Sequence, residues 1–272
     1  MTPRRINPVT GATLAALLLA ALQAGAQAAP PSERAVEQEM QRRANQERVR
    51  VGLPELEEDE HLVAAARAHS KRMAERGVLS HQLPEEPELK VRVSRTGLRF
   101  DAVAENVSAT NDADPAASSH GGLMHSPGHR ANILGAASNA IGVGVARRGD
   151  AYYITQDFAH TYPPLTAREV EERLTQMVGR LRQRQGLREL RKATLAKADR
   201  TCREETTPRT LVESLPDARN AIIFTTWTAD HLPEPMSEAA RQGGLEALAI
   251  HVCAPDAGQG GAGQFKVVAV FF

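Results

Sequence analysis

Residues 140–158 read AIGVGVARRGDAYYITQDF. Two β-rich runs, 140–146 and 151–158, flank Arg147-Arg148-Gly149-Asp150, a pattern that predicts an antiparallel hairpin. Gly142 and Gly144 alternate in the first run, so one strand face carries no side chain there and another element is expected close against it. The partner for that face lies upstream. From about Asp59, Leu62, Ala65, Ala66, His69 and Met73 recur at i, i+3, i+4, i+7 and i+11 and predict a helix ending near Gly77. An earlier helix is predicted from Ser32, with Val36, Met40 and Ala44 at four-residue spacing, until Gly52 and Pro54 interrupt it. Residues 82–101, rich in Pro, Glu and Arg without periodicity, read as a surface loop with a short helix. Residues 102–109 read as a strand, and 115–134 as a short helix, a Ser126-Pro127-Gly128 break and a further helical turn.

Downstream, Tyr162-Pro163-Pro164 is the expected boundary between two halves, and a new stripe of Val170, Leu174, Met177, Val178 and Leu181 opens after Thr166. The halves look alike. Val51-Gly52-Leu53-Pro54-Glu55-Leu56 has a counterpart in Gln185-Gly186-Leu187-Arg188-Glu189-Leu190. Residues 103–112 can be laid ungapped on 221–230, which sets Glu105 opposite Ile223, and the second half also closes on two β-rich runs, 245–252 and 264–272. The expected domains are therefore 33–161 and 162–272, the second a degenerate repeat of the first or an unrelated α/β extension.

Residues 1–28 carry Arg4 and Arg5, an apolar run from Ala12 to Leu22 and small residues before Ala28. That is the pattern of a signal peptide, too short in its apolar part for a membrane span, so a secreted chain with no transmembrane segment after cleavage is expected. The 33 basic and 33 acidic residues balance, and only six Phe, three Tyr and one Trp are present. Neither a basic, phosphate-neutralising surface nor a stacking platform is on offer, which argues against nucleic acid as a partner. The two cysteines, Cys202 and Cys253, are expected to pair in an oxidising compartment. Two buried thiols, or a metal site for which two Cys without His neighbours are poor material, are the alternatives.

The chemistry-bearing groups sit in the first half: Ser80-His81, Ala104-Glu105-Asn106, and His125-Ser126-Pro127-Gly128-His129-Arg130. Two imidazoles and a carboxylate that converge suit a divalent cation such as zinc. The separations of 24 and 24 residues from His81 through Glu105 to His129 match no local metal motif, so convergence is a matter for the fold. Met124 stands where a G-x-S-x-G nucleophile elbow needs glycine, so Ser126 shapes a turn.

Taken in order, these groups together with Asn45-Gln46-Glu47-Arg48, Gly52-Leu53-Pro54-Glu55-Leu56, Ala65-Ala66-Arg67-Ala68-His69-Ser70, Ile141-Gly142-Val143-Gly144 and Gln156-Asp157-Phe158 resemble the CAP superfamily of cysteine-rich secretory, antigen 5 and pathogenesis-related proteins, in its secreted bacterial branch. The resemblance covers residues 36–160. It implies an α+β chain whose first half is an α-β-α sandwich, with a cleft over the sheet carrying two His and two Glu. His81, Glu105 and His129 match three of the four; the fourth, a Glu, has no counterpart, His125 or Ser126 occupying its region. A three-ligand metal site helped by His120 or His125, with Asn106 orienting it, is the expectation. The resemblance implies a non-enzymatic binding module for a metal, a small or lipid-like ligand or an envelope component. The alternatives are a metal-dependent, peptidase-like hydrolase using His81, Glu105 and His129, and an envelope scaffold. A missing second Glu weakens any general acid/base pair.

Overall fold

The bare strand face finds its helix. A Cβ built on Gly142 would lie 2.2 Å from the carbonyl carbon of Leu62, and one on Gly144 2.1 Å from the amide nitrogen of Arg67. Both are backbone atoms of helix α2 (Glu60–Arg76), which therefore rests directly on strand β3 (Ala140–Arg148). Asp59 caps the start of α2 by accepting from the amides of His61 and Leu62, and Gly77 ends it at φ 67°, a left-handed conformation suited to glycine. The structure, a computed structural model, describes residues 29–195, 201–202, 206–254 and 263–272; the segment 1–28, expected to be a signal peptide, lies outside them.

Residues 33–272 form one compact unit that contains two four-stranded sheets. In the first, β1 (Glu57–Glu58) runs parallel to β3, and β4 (Ala151–Thr161) pairs antiparallel with both β3 and β2 (Phe100–Thr110), giving the order β1-β3-β4-β2. One face takes α2. The opposite face takes α1 (Glu33–Arg50), α4 (Pro115–His125) and α5 (Pro127–Ile133), which bury Val36, Met40, Leu123 and Ile133 against Ile141, Val143, Ile154 and Phe158. Alternation along β3 explains the sorting, since Ile141, Val143 and Val145 face one layer and the two glycines the other. The 82–101 segment is less of a surface loop than its composition predicts. It contains helix α3 (Leu89–Ser94) and buries Glu86, Arg92 and Val93.

The second sheet repeats the plan. Helix α6 (Ala167–Arg184) opens it with a capping box between Thr166 and Glu169, followed by β5 (Arg191–Lys192), α7 (Pro208–Ser214), β6 (Asn220–Thr226), α8 (Glu234–Ala240), β7 (Ala247–Cys253) and β8 (Phe265–Phe271). The strand order is β5-β7-β8-β6, and β5 is again parallel to its neighbour. Fully buried arginines end the two long helices in the same way. Arg48 donates to the carbonyls of Pro54, Ile133, Gly135 and Ser138, and Arg182 to those of Arg188, Ala240 and Gln242, so each gathers carbonyls from the following turn and from a distant helix end.

Register makes the correspondence residue-specific and corrects the ungapped pairing. The parallel ladders set Ala140 against Glu57 and Ala247 against Arg191; Ile141 then faces Phe158 as Leu248 faces Phe271. Glu105 pairs with Asp157, and Ala221 with Val270. Glu105 thus corresponds to Ala221, two positions from the residue that the sequence suggests, and Gly144 corresponds to His251. Where the first sheet is polar the second is apolar, with Ala221, Ala249, Val268 and Val270 in one cluster.

The halves meet at Arg99. Its guanidinium donates to Pro163 and Gly263 carbonyls at 2.6 and 3.1 Å and to that of Trp227, and it lies 4.5 Å over the Phe265 ring. Trp227 stacks on Tyr162, centroids 5.0 Å apart. Cys202 and Cys253 are disulfide-bonded at a separation of 51 residues, a loop whose closure contributes about 4 kcal/mol in the chain-entropy account. No helix among the described residues is long and apolar enough to cross a membrane.

Candidate functional site

Strand β2 is the edge of the first sheet, and the site is built around that edge. Side chains of Glu105 and Asp157 point to the α2 face, while Asn106 and Gln156, one step along, point to the α5 face. His81 arrives from the loop after α2 and His129 from α5. Their rings meet beyond the edge strand, centroids 5.8 Å apart and tilted by 37°. His81 Nδ1 donates to Glu105 Oε1 at 2.9 Å, and Glu105 Oε2 accepts from Arg92 Nη2 at 2.7 Å. The carboxyl group is buried and the His81 side chain is 54% exposed, so a fixed partner orients a solvent-facing imidazole. Burial, then the proximity of His81, keeps the His129 imidazole below the ordinary 6.5 and therefore neutral near pH 7.

Asn106 is fully buried and secures the α5 side. Its Nδ2 donates to the His129 carbonyl and to Gln156 Oε1 at 3.1 and 3.2 Å, and its Oδ1 accepts from Asn132 Nδ2 at 2.9 Å. Asn132 Nδ2 also donates to the Glu105 carbonyl at 3.1 Å, satisfying an acceptor on the open side of the edge strand. Loop, strand and helix are thereby locked to one another through side-chain amides.

Under Glu105 lies a charged layer that the sequence reading missed. Glu86 is buried, bonds His69 Nδ1 at 2.7 Å and lies 3.9 Å from Arg92 Nη1. His69, fully buried, also meets the Ser80 carbonyl at 2.9 Å, tying α2 to the His81 loop. A second buried carboxylate, five residues after His81, thus shares His69 and Arg92 as neighbours with Glu105. Asp157, opposite Glu105 in the ladder, is completely buried with neither carboxyl oxygen hydrogen-bonded. Burial first, then the charges of Glu105 and Glu86, push its pKa well above the ordinary 3.8 against the pull of Arg92.

The two helper histidines lie elsewhere. His120 is buried on α4, with the Glu47 carboxylate 3.9 Å away, and burial lowers its pKa. His125 Nδ1 donates to the Gly121 carbonyl at 2.7 Å, and its side chain lines a separate cavity of about 460 Å³ with Met124, Pro127, Arg130, Ala131 and Leu134. Neither bonds to His81, Glu105 or His129. Among the described residues, one group of three candidate metal donors has all its ligand atoms within 4.8 Å of one another, and it is Cys202, His251 and Cys253 in the second sheet. The His81, Glu105 and His129 trio is more open than that. Its two ring centres are nonetheless at the spacing of imidazoles that share one ion, since a ligating ring has its centre about 3 Å from the metal and two such rings have centres about 5 to 6 Å apart.

Residues 41–158 match the model of the cysteine-rich secretory protein family, CAP. The uncharacterized membrane protein YlbC of Bacillus subtilis (strain 168) is 34% identical over 111 residues, covering 41% of this chain and 30% of that protein. The uncharacterized protein YkwD of the same organism is 32% identical over 130 residues, covering 48% and 49%. The chain thus spans less than half the length of either relative. An extracellular SCP-domain protein from Bacillus anthracis str. Ames is 29% identical, with a TM-score of 0.44, over 47% of this chain and 41% of that one.

Proposed function

Residues 41–158 belong to the CAP family, and from that premise we propose that the chain is an exported binding module that takes a divalent cation, zinc by donor type, between His81 and His129 with Glu105 behind them. One observation carries the reading: two imidazoles from opposite layers face each other 5.8 Å apart at the sheet edge, one oriented by a buried carboxylate. A bound divalent ion supplies a fixed positive charge at that edge. Neutral His129 and the Nε2 of His81 are the donors, and Glu105 is their orienting partner. Both oxygens of Glu105 are engaged, by His81 and by Arg92, which suits a carboxylate that orients a ligand and supports binding over turnover. Export is supported by the signal-like pattern of residues 1–28 and by the disulfide. Val78 and Leu79, 49% and 48% exposed shortly before His81, offer an apolar contact for an organic ligand beside the ion. The proposal extends to the second half as a degenerate copy that kept the plan and lost the site, with Ala221 where Glu105 would stand.

Calorimetric titration of the oxidised chain with zinc, calcium and magnesium tests the reading. One zinc per chain is expected. His81→Ala and His129→Ala should each weaken it by more than the about 10- to 100-fold typical of losing an outer partner of a ligand. Zinc binding undiminished in both variants, or no binding in a folded chain, removes the proposal. Peptide or ester cleavage lost in parallel with binding would turn the module into a hydrolase.

A further inference from the structure

His251 stands two positions before Cys253 on β7, so the two side chains share one strand face. Cys202 reaches the same point, and one ligand atom from each of the three lies within 4.8 Å of the others. Cys253 is buried, and Cys202 and His251 are partly buried. The expectation that the cysteines lack a histidine neighbour is corrected here. Register explains why a side chain fits at 251. The corresponding residue of the first sheet is Gly144, where any Cβ would strike the backbone of α2, whereas the second sheet admits an imidazole at that position.

We propose that Cys202, His251 and Cys253 form a redox-gated site for a thiophilic divalent cation such as zinc, closed while the cysteines are joined and open once they are reduced. Two thiolates and an imidazole are a zinc-type donor set that leaves a fourth position for water or an outside ligand. Two thiolates on tetrahedral zinc lie about 3.8 Å apart. Cα atoms 5.6 Å apart reach that spacing by side-chain rotation alone. One contact besides the sulfur bond joins the two sides. Lys266 pairs with Cys253 across the ladder and donates from Nζ to the Thr201 carbonyl at 2.9 Å, a link from residue 201 to β8 that does not run through the disulfide.

The chemistry balances with a dithiol reductant. Two electrons from the dithiol break the sulfur–sulfur bond, the dithiol closes to its own disulfide, and its two protons end on Cys202 and Cys253. Cation binding then releases those two protons to solvent as both sulfurs bind as thiolates. The bound cation protects the thiols from reoxidation, so redox state and metal supply control one another. This site is independent of the His81 and His129 reading.

Cobalt(II), added anaerobically to the full chain before and after reduction by a phosphine, is the probe. The reduced chain should show a thiolate-to-cobalt charge-transfer band and tetrahedral ligand-field bands at one equivalent, displaced by zinc, and the oxidised chain should show no charge-transfer band. Cys253→Ser should abolish that band, and His251→Ala, checked for folding by circular dichroism, should weaken cobalt by at least about 10-fold and shift the ligand-field bands. The inference is overturned by a reduced chain without the charge-transfer band, by bands indifferent to His251→Ala, or by loss of the far-ultraviolet spectrum on reduction.

Discussion

Asp157 is a carboxyl group placed where a carboxylate is expensive. Buried, without a hydrogen bond and beside Glu105 and Glu86, it holds its proton to higher pH in the folded chain than in the unfolded one. Its folded pKa is raised, so the folded state binds the extra proton throughout the window from about 3.8 up to the raised value. Stability therefore declines as pH climbs through that window, by about 1.4 kcal/mol for each unit of elevation. Asp157→Asn keeps the shape and removes the titration. In urea unfolding at a series of pH values, the variant should be the more stable at pH 7, with the advantage shrinking toward pH 4; an advantage that stays constant with pH would sink the argument. The site histidines were legible because each sits in a short recognisable string. Glu86 and Arg92 were not, since nothing local in the Pro, Glu and Arg run of 82–101 says that two of its charges become buried partners. The signal that was available is the position of Glu86, one turn of loop beyond His81.

Between β3 and α2 the contact is backbone on backbone, and that is what the alternating glycines announced. Gly144→Ala puts a methyl 2.1 Å from the amide nitrogen of Arg67, which belongs to a helix and cannot step aside without disturbing Ser70, whose hydroxyl donates to the Gly144 carbonyl. The cost should sit at or above the upper end of the about 1 to 3 kcal/mol typical of overpacking, read as a lower urea midpoint at unchanged m. Gly122→Ala, in α4 with open space around its would-be Cβ, is the control and should stabilise slightly. Elements with strong periodicity, such as α1, α2 and the β3–β4 hairpin, could be read directly. The parallel strands β1 and β5 could not, because two exposed residues such as Glu57 and Glu58 have no period. The two-residue slip in matching β2 to β6 has the same root. Short alternating strands look alike at shifts of two, and ladder register distinguishes them.

Across the whole molecule the halves are joined through a small set of groups around Arg99, whose guanidinium serves carbonyls of residues 163, 227 and 263. The chain's one tryptophan, Trp227, lies in that joint and reports on it. In the native sequence, tryptophan fluorescence and circular dichroism should unfold together. Arg99→Ala removes the donor of three part-buried carbonyls, which water can partly satisfy, so the expected cost is about 0.5 to 1.5 kcal/mol per bond. The fluorescence transition should then precede the dichroism one, and coincident transitions in the variant would show that the joint does not couple the halves.

Strand β8, Phe265–Phe271, occupies the middle of the second sheet, flanked by β7 and β6. Synthesis runs amino-end first, so β5, β6 and β7 all wait for the strand that joins β7 to β6. Losing or misplacing β8 would remove the hub and leave β7 and β6 with unpaired seams, inviting aggregation rather than a trimmed but serviceable fold.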